Sequence, residues 1–181
     1  MIFGRLRVIQ RDQRGVALVE LLIAILLAGI VTSGITMTIF QVFNMNSRTS
    51  NHMIAIRQVQ HAGKQVSEDL LQAQHIDTED NPATPELELL TLNWTDWDDG
   101  RHGIVYTLED MPSGELKIIW REHYINLSPD STTKVAEYID PDPYKTSCAW
   151  GSGAFNFTVT ANVSGQIETR IYEVTPRSAS Q

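Results

Sequence analysis

The feature that most constrains this chain is an uncharged apolar segment near its N-terminus. Residues 16–31 read VALVELLIAILLAGIV, and no charged side chain occurs from Leu21 to Phe40. A helix of this length rises about 30 Å, which matches the hydrocarbon core of a bilayer. The segment therefore predicts one membrane-spanning helix, assigned to residues 16–43.

Charge is distributed unevenly along the 181 residues. Residues 1–15 carry a net charge of +3, whereas the remaining residues carry −11. Basic residues before the apolar segment, with none directly after it, predict a cytoplasmic N-terminus and a body outside the cytoplasmic membrane. Because an acidic body repels phosphate, no nucleic-acid partner is expected.

The apolar segment is either a cleavable secretory signal or a segment with a function of its own. A cleavable secretory signal would have its small-residue exit near Val31-Thr32-Ser33. Glu20 argues against that interpretation, because a carboxylate inside the apolar run works against membrane insertion and is by default a functional residue.

The residues around Glu20 carry a resemblance. Arg14-Gly15 followed by Val16-Ala17-Leu18-Val19-Glu20 resembles the prepilin cleavage and methylation motif of type IV pilins and type II secretion pseudopilins. The resemblance implies that prepilin peptidase removes the leader, residues 1–15, by cutting between Gly15 and Val16. It also implies methylation of the new amine at Val16, where the family usually has Phe.

The chemistry of Glu20 fits assembly. Its carboxylate stands four residues after Val16, so it could pair with that amine in one chain or with the amine of an incoming subunit. The resemblance implies four kinds of partner: prepilin peptidase, other pilin or pseudopilin subunits, an inner-membrane assembly platform and membrane lipid. It places the protein in a pilus or pseudopilus.

Beyond the apolar segment the helical pattern continues. One apolar stripe recurs with a period of 3.5 residues and predicts a helix ending near Gln74, within a helical region assigned to 16–76: Ile56, Val59, Gly63, Val66, Leu70 and Ala73. Asp69 lies off this stripe. We expect the stripe to pack against a soluble domain.

The C-terminal half changes to a period of two. Residues 77–85 are expected to form a linker, residues 86–176 an antiparallel β head and residues 177–181 a flexible tail. Strands are predicted near 86–94, 103–109, 115–125, 154–163 and 166–175, with a short strand or turn near 134–139. The fold class is therefore α+β: a long N-terminal helix, membrane-spanning in its first half, packed on an antiparallel sheet, as in pilins.

The pattern favours a structural subunit, not an enzyme, and a minor subunit over a major one. The segments Tyr106-Thr107-Leu108, Gly114-Glu115-Leu116 and Trp120-Arg121 resemble J-type minor pseudopilins. Two alternatives stay open: a minor pilin acting as an adhesive or DNA-uptake module, and an ordinary single-pass membrane-anchored protein.

Other candidate sites have simpler interpretations. Asp96, Asp98, Asp99 and Gly100 lack the glutamate of a calcium loop and predict a hairpin turn, and Cys148 is expected to be structural. The histidines lack metal-ligand spacing, with His61 and His75 expected at the surface, so neither a metal nor a cofactor is predicted. The four tryptophans could form a binding surface, but they more often complete or cover a core: Trp94, Trp97, Trp120 and Trp150.

Overall fold

The computed structural model describes residues 14–80, 86–112, 114–151 and 153–176, with side chains from Leu18 onward. The expected tail, most of the expected leader and residues 81–85 of the expected linker lie outside these ranges. The chain divides into two compact units, Met1–Ser47 and Arg48–Gln181. Helix α1, Arg14–Leu70, contributes to both units.

In the first unit, α1 presents apolar side chains on every side. All described side chains from Leu18 to Ser47 are exposed, which is the pattern of a helix that needs an apolar surrounding. The hydroxyl groups are satisfied within the helix itself: Thr32 donates to the Ala28 carbonyl at 2.7 Å and Thr36 to the Thr32 carbonyl at 2.9 Å. The described residues contain one helix long and apolar enough to cross a membrane.

In the second unit, one face of α1 covers the sheet. Its buried residues include four of the stripe predicted from the sequence, Val59, Gly63, Val66 and Leu70, together with Ala55 and Ala62. The helix ends at Leu70, a turn before the expected end near Gln74. Asp69, which lies off the predicted stripe, is also buried.

The described residues of the second unit form eight strands in one antiparallel sheet. Their bounds are β1 His75–Asp77, β2 Leu87–Thr95, β3 Arg101–Asp110, β4 Lys117–Ile125, β5 Ser128–Ile139, β6 Ser147–Trp150, β7 Phe155–Val163 and β8 Gln166–Val174. The order is β1-β2-β3-β4-β5-β7-β6, and β8 pairs with β7. The largest fully buried side chains of the core are Tyr106, Phe155 and Phe157.

All five predicted strands are present, as β2, β3, β4, β7 and β8, but three others were not predicted as such. The segment that forms β5 was given only a short strand or turn near 134–139, because its first seven residues are all exposed and polar or proline. That half of β5 is held by backbone pairing with β4 from Ile125↔Ser128 onward. Strands β1 and β6 are three and four residues long, too short for a period to show.

Candidate functional site

The N-terminal motif lies at the start of α1. The backbone is helical from Arg14, so Gly15 and Val16 lie in the first turn of the described helix and Glu20 follows Val16 by one helical turn. Glu20 is exposed, and its neighbours Val19 and Leu21 are exposed at 54% and 61%. This geometry places one carboxylate on an otherwise apolar helix surface, within reach of a charge near the helix start.

A buried ion pair joins the end of α1 to the centre of the sheet. The Asp69 carboxylate accepts hydrogen bonds from the Tyr106 hydroxyl and, at 2.7 Å, from Nε of Arg121. The Arg121 Nη2 adds a third bond of 3.3 Å to the other carboxylate oxygen. Burial, reinforced by the Asp69 charge, raises the pKa of the Tyr106 phenol, so this hydroxyl stays a donor. Burial alone would lower the pKa of Arg121, but the bond to Asp69 raises it overall.

This cluster has the chemistry of a structural contact between helix and sheet. Each side chain is paired with another, and the arrangement ties the last helical turn to the neighbouring strands β3 and β4. Sequence reasoning missed the cluster, because the three residues are 37 and 52 positions apart in the chain. The sequence feature that could have indicated the cluster is an acidic residue, Asp69, directly beside the stripe residue Leu70.

A second polar group is a row of rings at one end of the sheet. His102 and His123 stack at a centroid distance of 5.4 Å, and Trp94 stacks on His102 at 5.1 Å. Nδ1 of His102 lies 3.2 Å from Nε2 of His123, and each remaining ring nitrogen lies 2.9 Å from a carboxylate, Asp96 for His102 and Asp130 for His123. Each of these three hydrogen bonds needs one proton. Two neutral imidazoles carry only two N–H groups, so all three bonds form together only when one histidine is an imidazolium.

The histidine row supplies two imidazoles, His102 and His123. Among the residues that the structure describes, no group of three or more His, Cys, Asp or Glu could hold a metal ion. His61 and His75 are exposed, as the sequence predicted. Sequence reasoning did not bring His102 and His123 together, because their contact depends on the register of β3 against β4.

The predicted hairpin turn at Asp96–Gly100 is present. Asp96 donates its backbone N–H to the Gly100 carbonyl at 2.9 Å, and Asp99 adopts a positive φ of 63°. Beside it lies an open cleft of about 560 Å³, whose lining includes Trp94, Arg101, His102, Tyr124 and Leu127.

The tryptophans and the cysteine are placed differently from one another. Trp94 and Trp150 cover the edge of the core. Trp94 does so by stacking on His102, and Trp150 by an edge contact with Phe155 at a centroid distance of 5.3 Å. Trp97, in contrast, is 97% exposed. Burial raises the pKa of the Cys148 thiol, so the thiolate needed for reaction is disfavoured.

The comparison with known families identifies the N-terminal segment. Residues 10–36 match the family described as the prokaryotic N-terminal methylation motif. This match covers Gly15, Val16 and Glu20 and ends within the apolar half of α1. No curated protein and no solved structure matches the chain. A long apolar N-terminal helix with an antiparallel β head is a pilin-like α+β arrangement, and the motif and helix together fit a single-pass membrane anchor.

Proposed function

We propose that this protein is a structural subunit of a type IV pilus or type II secretion pseudopilus, processed by prepilin peptidase and assembled through α1. The observation that carries the proposal is the match of residues 10–36 to the methylation motif at the start of a 57-residue helix. A long helix with an exposed apolar half needs an apolar surrounding, which lipid supplies before assembly and neighbouring helices supply after it.

Processing would occur at the bond between Gly15 and Val16, with methylation of the Val16 amine. The peptidase would then leave a new N-terminus one helical turn before Glu20. Because an unpaired charge in an apolar phase is costly, Glu20 would recruit the amine of an incoming subunit and fix its axial register. The partners are therefore prepilin peptidase, other pilin or pseudopilin subunits, the inner-membrane assembly platform and lipid.

The subunit is proposed to be a minor one. The chain has a single cysteine, Cys148, and so lacks the paired C-terminal cysteines of many major pilins. A DNA-uptake role is less well supported, because residues 79–181 hold seven basic and seventeen acidic residues.

Intact mass of the protein extracted from membranes tests the processing step. We expect loss of residues 1–15 and a gain of one methyl group at Val16. Gly15→Ala should be cut, whereas Gly15→Leu should block cutting, because the peptidase must fit the residue before the scissile bond. A mature form beginning after Ser33 would instead identify an ordinary signal peptide and overturn the proposal.

Glu20→Gln tests the assembly role. Membrane insertion and cutting at Gly15 should survive, whereas incorporation into sheared filaments should fall at least roughly tenfold, because the pairing charge is lost. Glu20→Asp keeps the charge with a shorter reach and should retain part of the incorporation. Normal assembly of Glu20→Gln would contradict the proposed pairing, and the ratio of filament-associated to membrane-bound protein is the measurement.

A further inference from the structure

Two hairpin turns at one end of the sheet expose large apolar side chains. Trp97 lies in the β2–β3 turn with 97% of its surface exposed, and Leu127 lies in the β4–β5 turn with 87% exposed. The two turns are tied together: Asn126 donates its N–H to the Arg101 carbonyl at 2.8 Å, and its side-chain oxygen accepts the Arg101 N–H at 3.1 Å. The turns therefore form one surface, called the tip surface here: Trp97, Asp98, Asp99, Asn126 and Leu127.

Leu127 occupies a backbone conformation that does not suit it. Asn126 and Leu127 have φ values of 50° and 64°, which a two-residue β-turn demands and which glycine adopts most easily at the second position. A leucine there is strained, and its exposed side chain gains little from packing within the chain. A strained and exposed apolar residue, on a turn tied to that of an exposed tryptophan, indicates a contact surface.

The tip surface is acidic. Asp96 and Asp130 are held by the histidine row, whereas Asp98 and Asp99 form no ion pair with any described residue. A partner for this surface must therefore combine apolar area with positive charge.

The same molecule carries such a surface between α1 and β5. Residues 48–64 contain three basic and no acidic residues, whereas residues 65–181 contain seven basic and twenty acidic ones. A groove of about 540 Å³ has four basic side chains and one carboxylate in its lining: Arg57, His61 and Lys64 of the helix, and Lys134 and Glu137 of β5. We call it the basic groove.

The basic groove is preformed. Its walls are joined by the 2.6 Å contact of His61 Nδ1 with the Val135 carbonyl and by a 2.9 Å bond from the Glu137 N–H to the Gln58 side chain. Arg57 has no carboxylate partner among the described residues. Lys64 and Lys134 each contact one glutamate, at 3.8 Å and 2.6 Å. The Lys64 pair with Glu68 is exposed and can exchange partners at little cost, whereas Glu137, the partner of Lys134, is half-buried.

We propose that the tip surface of one copy docks in the basic groove of a second copy. Trp97 and Leu127 supply the apolar contact, and Asp98 and Asp99 pair with Arg57 and Lys64. The contact joins two different patches of the same chain, so a pair of copies forms it either once, head to tail, or twice, reciprocally. The proposal extends the proposed function from the helix to the head, but it does not depend on processing at Gly15 or on Glu20.

Photo-cross-linking of the full-length, unprocessed protein in detergent micelles tests this contact. Benzoylphenylalanine replaces Trp97 in one variant and Tyr144 in the control, because Tyr144 is 95% exposed on a different loop. We expect the variant at position 97 to give a dimer whose cross-linked peptide includes residues 57–64 or Lys134. The control should give at least roughly fivefold less dimer, and added salt should weaken the dimer at position 97, since exposed charge pairs are screened.

Charge exchange makes the test specific. Asp98→Lys with Asp99→Asn reverses the tip, and asparagine tolerates the positive φ at position 99. Arg57→Glu with Lys64→Glu reverses the charge of the basic groove. Reversed copies that carry benzoylphenylalanine at position 97 should lose roughly tenfold of their cross-linking to copies of the same variant. Mixing tip-reversed copies that carry this residue with groove-reversed copies that lack it should restore the cross-link. Recovery in the mixture shows that both variants are folded.

Three results would overturn the proposal. They are equal cross-linking from positions 97 and 144, cross-links from position 97 to residues outside the basic groove, and failure of the mixed reversed copies to recover. Because unprocessed protein is used, none of these results bears on the peptidase or on Glu20.

Discussion

At the scale of single residues, Asp69 decides how the helix meets the sheet. Its side chain is 6% exposed and that of Arg121 is 17% exposed, so both charges have left most of their water. Such a pair contributes little net stability compared with apolar residues of the same shape, but removing one partner leaves the other charge buried and unpaired. The cluster therefore makes the attachment of α1 to β3 and β4 specific.

Asp69→Asn should destabilise the head by about 3 kcal/mol, because the Arg121 guanidinium loses its counter-charge. Tyr106→Phe should cost less, about 1 kcal/mol, because Asp69 keeps its bonds to Arg121. Urea unfolding of the full-length protein in micelles, followed by tryptophan fluorescence, measures this, since all four tryptophans lie in the head. Glu68→Gln, at an exposed neighbouring position, is the control and should change stability by less than about 0.5 kcal/mol. An Asp69→Asn variant as stable as the control would contradict the structural role of this cluster.

At the scale of elements, the packing of α1 on β8 depends on a glycine. A Cβ added at Gly63 would lie 2.0 Å from the ring of Tyr172, whose hydroxyl donates to the Val59 carbonyl at 3.1 Å. Glycine is a poor helix former, so its presence in the middle of α1 is explained by this close approach of the ring and not by propensity. The predicted apolar stripe included Gly63, but the stripe did not indicate which residue packs against this glycine.

Gly63→Ala should destabilise the head by about 2 kcal/mol despite the higher helix propensity of alanine, because the ring must move. Adding Tyr172→Ala should remove that penalty, so that alanine at position 63 becomes neutral or stabilising by up to about 1 kcal/mol in that background. Gly34→Ala is the matched control, since a Cβ at Gly34 meets nothing within 4 Å. The same urea unfolding curves provide the measurement, and additive effects of the two substitutions at 63 and 172 would contradict the contact.

At the scale of the whole molecule, the chain consists of two units with different surfaces. The first unit exposes apolar side chains from Leu18 onward, whereas the second, from Arg48, has its own core of helix and sheet residues. The second unit keeps the buried face of α1, so its sheet is covered on that side without the apolar half of the helix.

A fragment spanning residues 48–181 should therefore be soluble and should unfold cooperatively on heating, as followed by circular dichroism. A fragment beginning at Leu71 keeps all eight strands but lacks the buried helix face, and it should aggregate because the apolar face of the sheet is uncovered. A soluble and cooperatively folded fragment from Leu71 would show that the helix is not part of the head's core.

The sequence by itself determined the features that depend on neighbouring residues. The apolar segment, the spacing of Gly15, Val16 and Glu20, the helical stripe and five strands all follow from local composition and period. Tertiary structure alone decided the burial of Asp69, the contact of His102 with His123, the fit of Tyr172 over Gly63 and the extent of β5. Each of these depends on strand register or on partners tens of residues away, and the alternation of apolar and polar residues does not specify which residues face each other across two elements.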